Sequence, residues 1–225
     1  MRKLFGKPEA TWLAPALVAC ALIIAAVFLP LWKMELVAPQ YPEGLVMYAY
    51  GSHFAGDPSS YYDDVREING LNHYIGMKPI EEVTEMGLFV PGVIAVVVAT
   101  IVVSFVAWRR RWFRAASVAA FWFVPLFFIA DLQYWLYNYG HSMDPEAPLN
   151  TGDFTPGVWG TTKVWNFHSE NSFQVGFYLM VLAAVIVTFG PAIMRWAMSR
   201  SWWPSRHGRR REAAQPAQTA GRSAG

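Results

Sequence analysis

Long apolar stretches alternate with polar, turn-rich segments along the whole chain. Four stretches are about 20 residues long, and together they contain a single charged residue, Asp131. A helix of that length matches the apolar core of a bilayer, which is about 30 Å thick. Only a helix satisfies its own backbone groups there, so the pattern predicts an all-α membrane protein with four transmembrane helices. The predicted spans are residues 12–32, 88–108, 115–137 and 173–194.

The polar segments divide the rest of the chain into two tails, two loops and a link. These are an N-terminal tail (1–11), a first loop (33–87), a short link (109–114), a second loop (138–172) and a C-terminal tail (195–225).

The first loop is long enough to hold structure of its own. Its segments 34–37 and 45–50 have strand-like composition and flank the turn residues of 39–44, which predicts a β-hairpin. Asp64 and Glu67 resemble a capping box that opens a short helix, and Asn69-Gly70 would end it. A second short helix is predicted over 72–77. The second loop is rich in glycine and proline, so we expect it to be irregular and to pack on the first.

The first span has two alternative interpretations, a cleaved signal peptide and a lipoprotein signal. Its apolar run is longer than a signal peptide needs, and no small-residue cleavage site follows Trp32, which favours an uncleaved anchor. The residues before Cys20 resemble a lipoprotein cleavage box. The apolar run continues through Cys20 to Trp32, however, which favours a small residue inside a helix.

Basic residues concentrate on one side of the predicted spans. The two tails and the link hold 14 of the 18 lysines and arginines, whereas the two loops with Asp131 hold 14 of the 16 acidic residues. Basic segments flanking spans stay in the cytoplasm. The distribution predicts a bacterial cytoplasmic (inner) membrane protein with both termini in the cytoplasm and both loops outside it. Anionic lipid is the expected contact of the basic C-terminal tail, and no nucleic acid partner is predicted.

Composition and motifs exclude several classes of function. Hydrophobic residues make up 54% of the chain and charged residues 15%, far from the quarter that is usual for soluble domains. A single cysteine excludes an intrachain disulfide, a CxxC pair and a cysteine-based zinc site. The motifs of serine hydrolases, zinc proteases and nucleotide-binding proteins do not occur. We therefore expect a protein without catalytic residues of its own.

The loops carry a candidate metal site made of imidazole and thioether groups. His73 and Met77 are four residues apart, which places them on one face of a helical segment. His141 and Met143 form a second such pair in the other loop. Imidazole with thioether suits copper, above all Cu(I). The alternative for any one histidine is a hydrogen-bonded loop residue, and the site requires the two loops to converge.

Several strings in the loops resemble a family of bacterial membrane proteins. Ala38–Leu45 (APQYPEGL), Ile68–Ile80 (INGLNHYIGMKPI) and Tyr139–His141 are similar to the NosB-type accessory proteins, which are encoded among nitrous oxide reductase genes. The resemblance covers about residues 29–176, and the spans match only in kind. It carries over no catalytic residue, because the biochemical role of the family is not settled.

The resemblance implies an accessory role beside a copper enzyme located outside the cytoplasm. The expected function is support for the assembly or activity of a periplasmic copper enzyme such as nitrous oxide reductase, with copper as the expected ligand. The expected partners are the lipid bilayer, that enzyme or other membrane subunits. The alternative is a non-catalytic scaffold subunit of a membrane transport or electron-transfer complex.

Overall fold

The structure, a computed structural model, describes residues 10–80, 86–107, 110–149 and 152–201. Five α-helices and five β-strands make up this part of the chain. In chain order they are α1 (Ala10–Val27), β1 (Trp32–Ala38), β2 (Tyr41–Ala49), β3 (Phe54–Gly56), α2 (Asp64–Tyr74), α3 (Met86–Val102), α4 (Arg111–His141), β4 (Gly160–Val164), β5 (Phe167–Phe173) and α5 (Val175–Ser201). A short π-helical turn, Val103–Ala107, continues α3.

The prediction of an all-α fold with four helices is wrong, because the two loops build one antiparallel sheet. Its strand order is β3-β2-β1-β5-β4, so the three strands of the first loop and the two strands of the second loop meet at the β1–β5 pair. The predicted hairpin is confirmed as the β1–β2 pair, with Leu36 opposite Leu45. The second loop, predicted to be irregular, supplies β4 and β5. Pairing with β1, across Trp32–Phe173 and Val37–His168, stabilises strands that their own turn-rich surroundings do not predict.

The helices also differ in length from the predicted spans. Three of the described helices are long and apolar enough to cross a membrane: Met86–Val106, Arg111–His141 and Val175–Ser199. The first apolar helix is shorter, Thr11–Val27. It ends before Pro30, because the residue preceding a proline disfavours helical geometry, and the apolar residues that follow enter β1. An apolar run can thus join a helix to a buried strand, and length alone does not separate the two.

The end of the β1–β5 pairing at Trp32 and Phe173 is joined to α1 and α5. The Gln174 amide donates to the Leu31 carbonyl at 2.9 Å, and the Gly176 amide donates to the Pro30 carbonyl at 2.9 Å. The end of α1 therefore lies beside the start of α5. Small buried residues of the two helices pack along their length, namely Ala16, Ala19, Ala26, Ala183 and Ala184.

Hydrogen bonds between helices supplement this packing. The Trp12 indole donates to the Ser104 hydroxyl at 3.1 Å and links α1 to the turn that follows α3. The Trp122 indole donates to the Thr188 hydroxyl at 3.2 Å and links α4 to α5.

Helix α2 covers one end of the sheet and is attached by a buried carboxylate. Asp64 is 2% exposed and accepts hydrogen bonds from the Val46 amide, the Asp57 amide and the Ser60 hydroxyl at 2.7–3.3 Å. The N-cap is Asp63, one residue before the predicted Asp64, and its side chain accepts from the Arg66 amide.

The predicted stop at Asn69-Gly70 and the separate helix over 72–77 are also wrong, because α2 continues to Tyr74. The Asn69 side chain accepts from the Ile80 amide at 3.0 Å, so it serves a contact outside the helix. We call the sheet and α2 together the cap.

Candidate functional site

Alternation along β1 and β2 gives the sheet an apolar face. Trp32, Met34 and Leu36 of β1 point to one side, and Met47 and Ala49 of β2 point to the same side. Side chains alternate between the faces of a strand, so every second residue contributes. Met34 and Met47 are direct cross-strand partners. The face therefore carries two adjacent thioethers within an apolar wall.

This face does not pack tightly on the helices, and a cavity of about 160 Å³ remains between them. The opposite wall comes from α3 and α4, and Leu71 and Asn72 of α2 close one end. Methionines Met77 and Met86 also contribute. The helical residues of the wall are Phe89, Phe127, Phe128, Asp131, Leu132, Trp135, Leu136 and Tyr139.

Two polar groups of α4 belong to the cavity wall. Asp131 is half-buried, and among the described spans of α3, α4 and α5 it is the only carboxylate in the wall. Trp135 lies one helical turn further on, and its indole nitrogen is buried without an acceptor in the part of the chain that the structure describes. A buried donor without an acceptor is unfavourable and calls for an explanation. The wall is otherwise mainly apolar.

The structure separates the four predicted metal ligands into different surroundings. Met77 lines the cavity, whereas His73 is exposed on α2. His141 is half-buried at the end of α4, where its ring stacks on Tyr137 at 4.0 Å between centroids. Met143 follows α4 and is half-buried. Within the described ranges, no three histidine, cysteine or acidic side chains form a metal-binding group. A site built from histidine and methionine stays a prediction.

The segments that carry these residues are nevertheless joined by their backbones. The Asp144 amide donates to the Gly76 carbonyl at 2.8 Å, and the Leu149 amide donates to the Tyr74 carbonyl at 3.2 Å. Gly76 has a φ of +80°, and a Cβ there would lie 2.8 Å from the Asp144 backbone. A left-handed residue in such close contact requires glycine. The expectation that the two loops pack together is confirmed.

One hydrogen bond sets the tautomer of His141. Its Nδ1 lies 2.9 Å from the Tyr137 carbonyl oxygen, which can only accept, so Nδ1 carries the proton. In the neutral ring the lone pair is then on Nε2. Histidines that bind metals usually donate their other nitrogen to a carbonyl in this way. The geometry around His141 is thus compatible with a ligand on Nε2.

The other face of the sheet is polar. Lys33 donates to Glu35 at 2.8 Å, and this hydrogen bond raises the pKa of the Lys33 ammonium above its ordinary value. His168 and Glu170 of β5 are exposed on the same side. His53 lies apart from them, stacked on Tyr50 at 4.7 Å. Neither His53 nor His168 is among the described residues that line the cavity.

Sequence reasoning missed the cavity itself. The residues that define it, above all Met34, Met47, Met86 and Trp135, were not among the predicted site residues. The period-two pattern of apolar residues in 32–36 was a usable signal, because a strand with one apolar face must pack against another element. The partner of that face lies in spans far along the chain, which no local pattern reveals.

No family model matches the chain, and no curated protein matches it.

Proposed function

We propose that the chain is a membrane-anchored accessory protein that supports the assembly or activity of a periplasmic copper enzyme such as nitrous oxide reductase. The observation that carries the proposal is the hydrogen bond between the Asp144 amide and the Gly76 carbonyl. It joins the segment of His73 and Met77 to the segment that follows His141 and Met143. The segments that carry the two imidazoles and two thioethers are therefore adjacent, which a Cu(I) site shared by the two loops would need.

The arrangement of the helices supports the proposed membrane location. The end of α1 and the start of α5 adjoin the cap through the Leu31–Gln174 hydrogen bond. The start of α3 and the end of α4 reach the cavity beneath the cap, at Met86 and Tyr139. The opposite helix ends therefore point away from the cap, and Arg111 and Arg195 lie toward those ends. Basic residues that flank spans stay in the cytoplasm. We therefore place both tails in the cytoplasm and the cap in the periplasm.

The copper assignment is tested by anaerobic Cu(I) titration of the full-length protein in detergent against a colourimetric chelator. We expect stoichiometric binding by the wild type and its loss in the triple variant His73→Ala, Met77→Ala, His141→Ala. The matched control is the double variant His53→Ala, His168→Ala, which removes two histidines that lie outside the set. Copper binding by the triple variant at wild-type strength would eliminate this ligand set.

The accessory role is tested in cells that produce the copper enzyme. Deletion of the protein is expected to lower the copper content or activity of that enzyme, and the triple variant should fail to restore it. A fully loaded, fully active enzyme in the deletion strain would refute the role.

A scaffold function is the second candidate, and exposed aromatic residues of the loops beside the cap favour it. Tyr61 is 94% exposed and Trp159 is 75% exposed, although aromatic side chains are enriched in protein interfaces and costly to leave in water. A scaffold would co-purify with a partner protein, and the histidine substitutions would leave the amount of co-purified partner unchanged. Tyr61→Ala and Trp159→Ala would reduce the amount of co-purified partner. For an accessory that delivers copper, both the aromatic and the histidine substitutions would lower the copper content of the enzyme.

A further inference from the structure

The cavity beneath the cap is large enough for one ring. Its volume is about 160 Å³, and cavities of about 150 Å³ lined by apolar side chains bind a benzene molecule rather than water. The lining here is of that kind, with Phe89, Phe128 and Leu132 on the helical wall. Methionine side chains, here Met34 and Met47, adapt their shape to a ligand more readily than branched residues do. The expected occupant is therefore a flat apolar group of about one ring.

The buried indole of Trp135 adds a requirement for a hydrogen-bond acceptor. Its nitrogen has no acceptor among the residues that the structure describes, and Trp135 belongs to the cavity wall. The nitrogen has almost no accessible surface, so the indole must rotate toward the cavity before a ligand oxygen can satisfy this donor. A hydrocarbon chain would fill the same space and leave the N–H unsatisfied. The preferred ligand thus combines a ring with an oxygen acceptor.

The wall of the cavity reaches the outer surface of the helices at Phe127. This residue lines the cavity, yet 43% of its surface is exposed. It lies within α4, one of the helices that are long and apolar enough to cross a membrane. A ligand with a ring inside the cavity could extend an apolar tail past Phe127 into lipid. This step rests on the membrane location in the proposed function.

We propose that the cavity binds the head group of an isoprenoid quinone. The quinone ring matches the volume, one carbonyl oxygen accepts from the Trp135 indole, and the isoprenoid tail leaves beside Phe127. Offset stacking on the aromatic residues of α3 and α4 would hold the ring. A phospholipid or fatty acid shares the apolar tail but lacks the ring.

The test measures the binding of a benzoquinone with a decyl chain to the full-length protein in nanodiscs. Bound quinone is extracted into organic solvent after removal of free ligand and is quantified by its absorbance. We expect saturable binding at one site. Trp135→Phe keeps the aromatic wall and removes the donor, so it should weaken binding about tenfold. Leu132→Trp fills the cavity and should abolish binding.

Two controls separate the cavity from the rest of the surface. Trp159→Phe makes the same chemical change at an exposed position, and Phe123→Trp introduces the same indole on the outer side of α4, where Phe123 is 61% exposed. Both should bind as the wild type does. If Trp135→Phe does not fold, the comparison of Leu132→Trp with Phe123→Trp still tests whether the quinone binds in the cavity.

Competition distinguishes the quinone from an ordinary lipid chain. Palmitic acid and a saturated phospholipid should displace the decyl quinone far less effectively than a second benzoquinone of different chain length, resolved from it by chromatography, does. Equal displacement, or wild-type binding by Leu132→Trp, would overturn the proposal. A protein that remains in carbonate-washed membranes and binds Cu(I) but no quinone would contradict this inference alone. A protein released by carbonate would contradict the proposed location instead.

Discussion

Gly140 and Phe154 approach each other so closely that no side chain fits between them. The Phe154 amide donates to the Gly140 carbonyl at 3.1 Å, and a Cβ on Gly140 would lie 1.8 Å from the Phe154 carbonyl oxygen. The contact attaches the irregular segment before β4 to the end of α4. Phe154 also lines the cavity, so the contact sets one of its walls.

The first prediction concerns this contact. Gly140→Ala should lower the free energy of unfolding by about 1–3 kcal/mol, because the backbone of one partner must move to admit the methyl group. Thermal unfolding of the purified protein measures the change. Gly70→Ala in α2 is the matched control, since nothing lies within 4 Å of its added Cβ, and it should be neutral or slightly stabilising. Equal stability of the two variants would contradict the close approach.

The second prediction concerns the buried carboxylate of the cap. Asp64→Ala leaves the amides of Val46 and Asp57 and the Ser60 hydroxyl without their acceptor. We expect a loss of about 3 kcal/mol or more, because hydrogen bonds to a charged group are stronger than neutral ones. Asp63→Ala removes only the N-cap bond to Arg66 and should cost about 1 kcal/mol. Hydrogen exchange of amides in 64–74 reports both effects, and the reverse order would disprove the assignment.

The third prediction concerns alkaline pH. The Tyr41 hydroxyl donates to Glu67 and links β2 to α2, and this hydrogen bond raises the pKa of Tyr41 above its ordinary value of 10.0. A raised pKa means that the folded state holds the proton more tightly. The stabilisation is therefore complete below pH 10 and is lost as the pH rises through the folded-state value. Lys33, whose pKa is also raised, adds a loss in the window above 10.5.

The variant Tyr41→Phe separates the two contributions. It should be less stable than the wild type at neutral pH and should lose stability less steeply between pH 9 and 11. Chemical unfolding followed by far-ultraviolet circular dichroism measures both curves. Parallel curves for the two proteins would show that Tyr41 does not contribute.

The fourth prediction concerns the link between α4 and α5. Thr188 accepts a hydrogen bond from the Trp122 indole at 3.2 Å and donates to the Ala184 carbonyl at 2.6 Å. Thr188→Val keeps the shape of the side chain and removes the acceptor, so it should destabilise the protein by about 0.6–1.7 kcal/mol. Thr188→Ser retains the hydroxyl and should recover most of the loss. Thermal unfolding in detergent provides the comparison.

The sequence predicts local features better than long-range ones. The turn residues between 38 and 45 identify the β1–β2 hairpin, and apolar length identifies the three long helices, because both signals come from neighbouring residues. The pairing of β1 with β5 joins residues about 140 positions apart, and neither strand has a local pattern that names its partner.

The candidate site divides in the same way. Met77 was predicted as a functional residue, and it lines the cavity. Trp135 carries no site signal in the sequence, because sequence does not reveal that its indole has no acceptor among the described residues. The thioethers of Met34 and Met47 become neighbours only through the register of two strands. A site whose residues come from distant parts of the chain is recognised only in the folded structure.

The central position of β1 has a consequence for the synthesis of the protein. Trp32–Ala38 emerges early and pairs with β2 at once, but its other edge waits for Phe167–Phe173, which the ribosome completes after α4. Until then an exposed strand edge can recruit unrelated chains. Biogenesis therefore passes through an intermediate with an open sheet, and a truncation after α4 should yield an aggregation-prone product rather than a smaller stable protein.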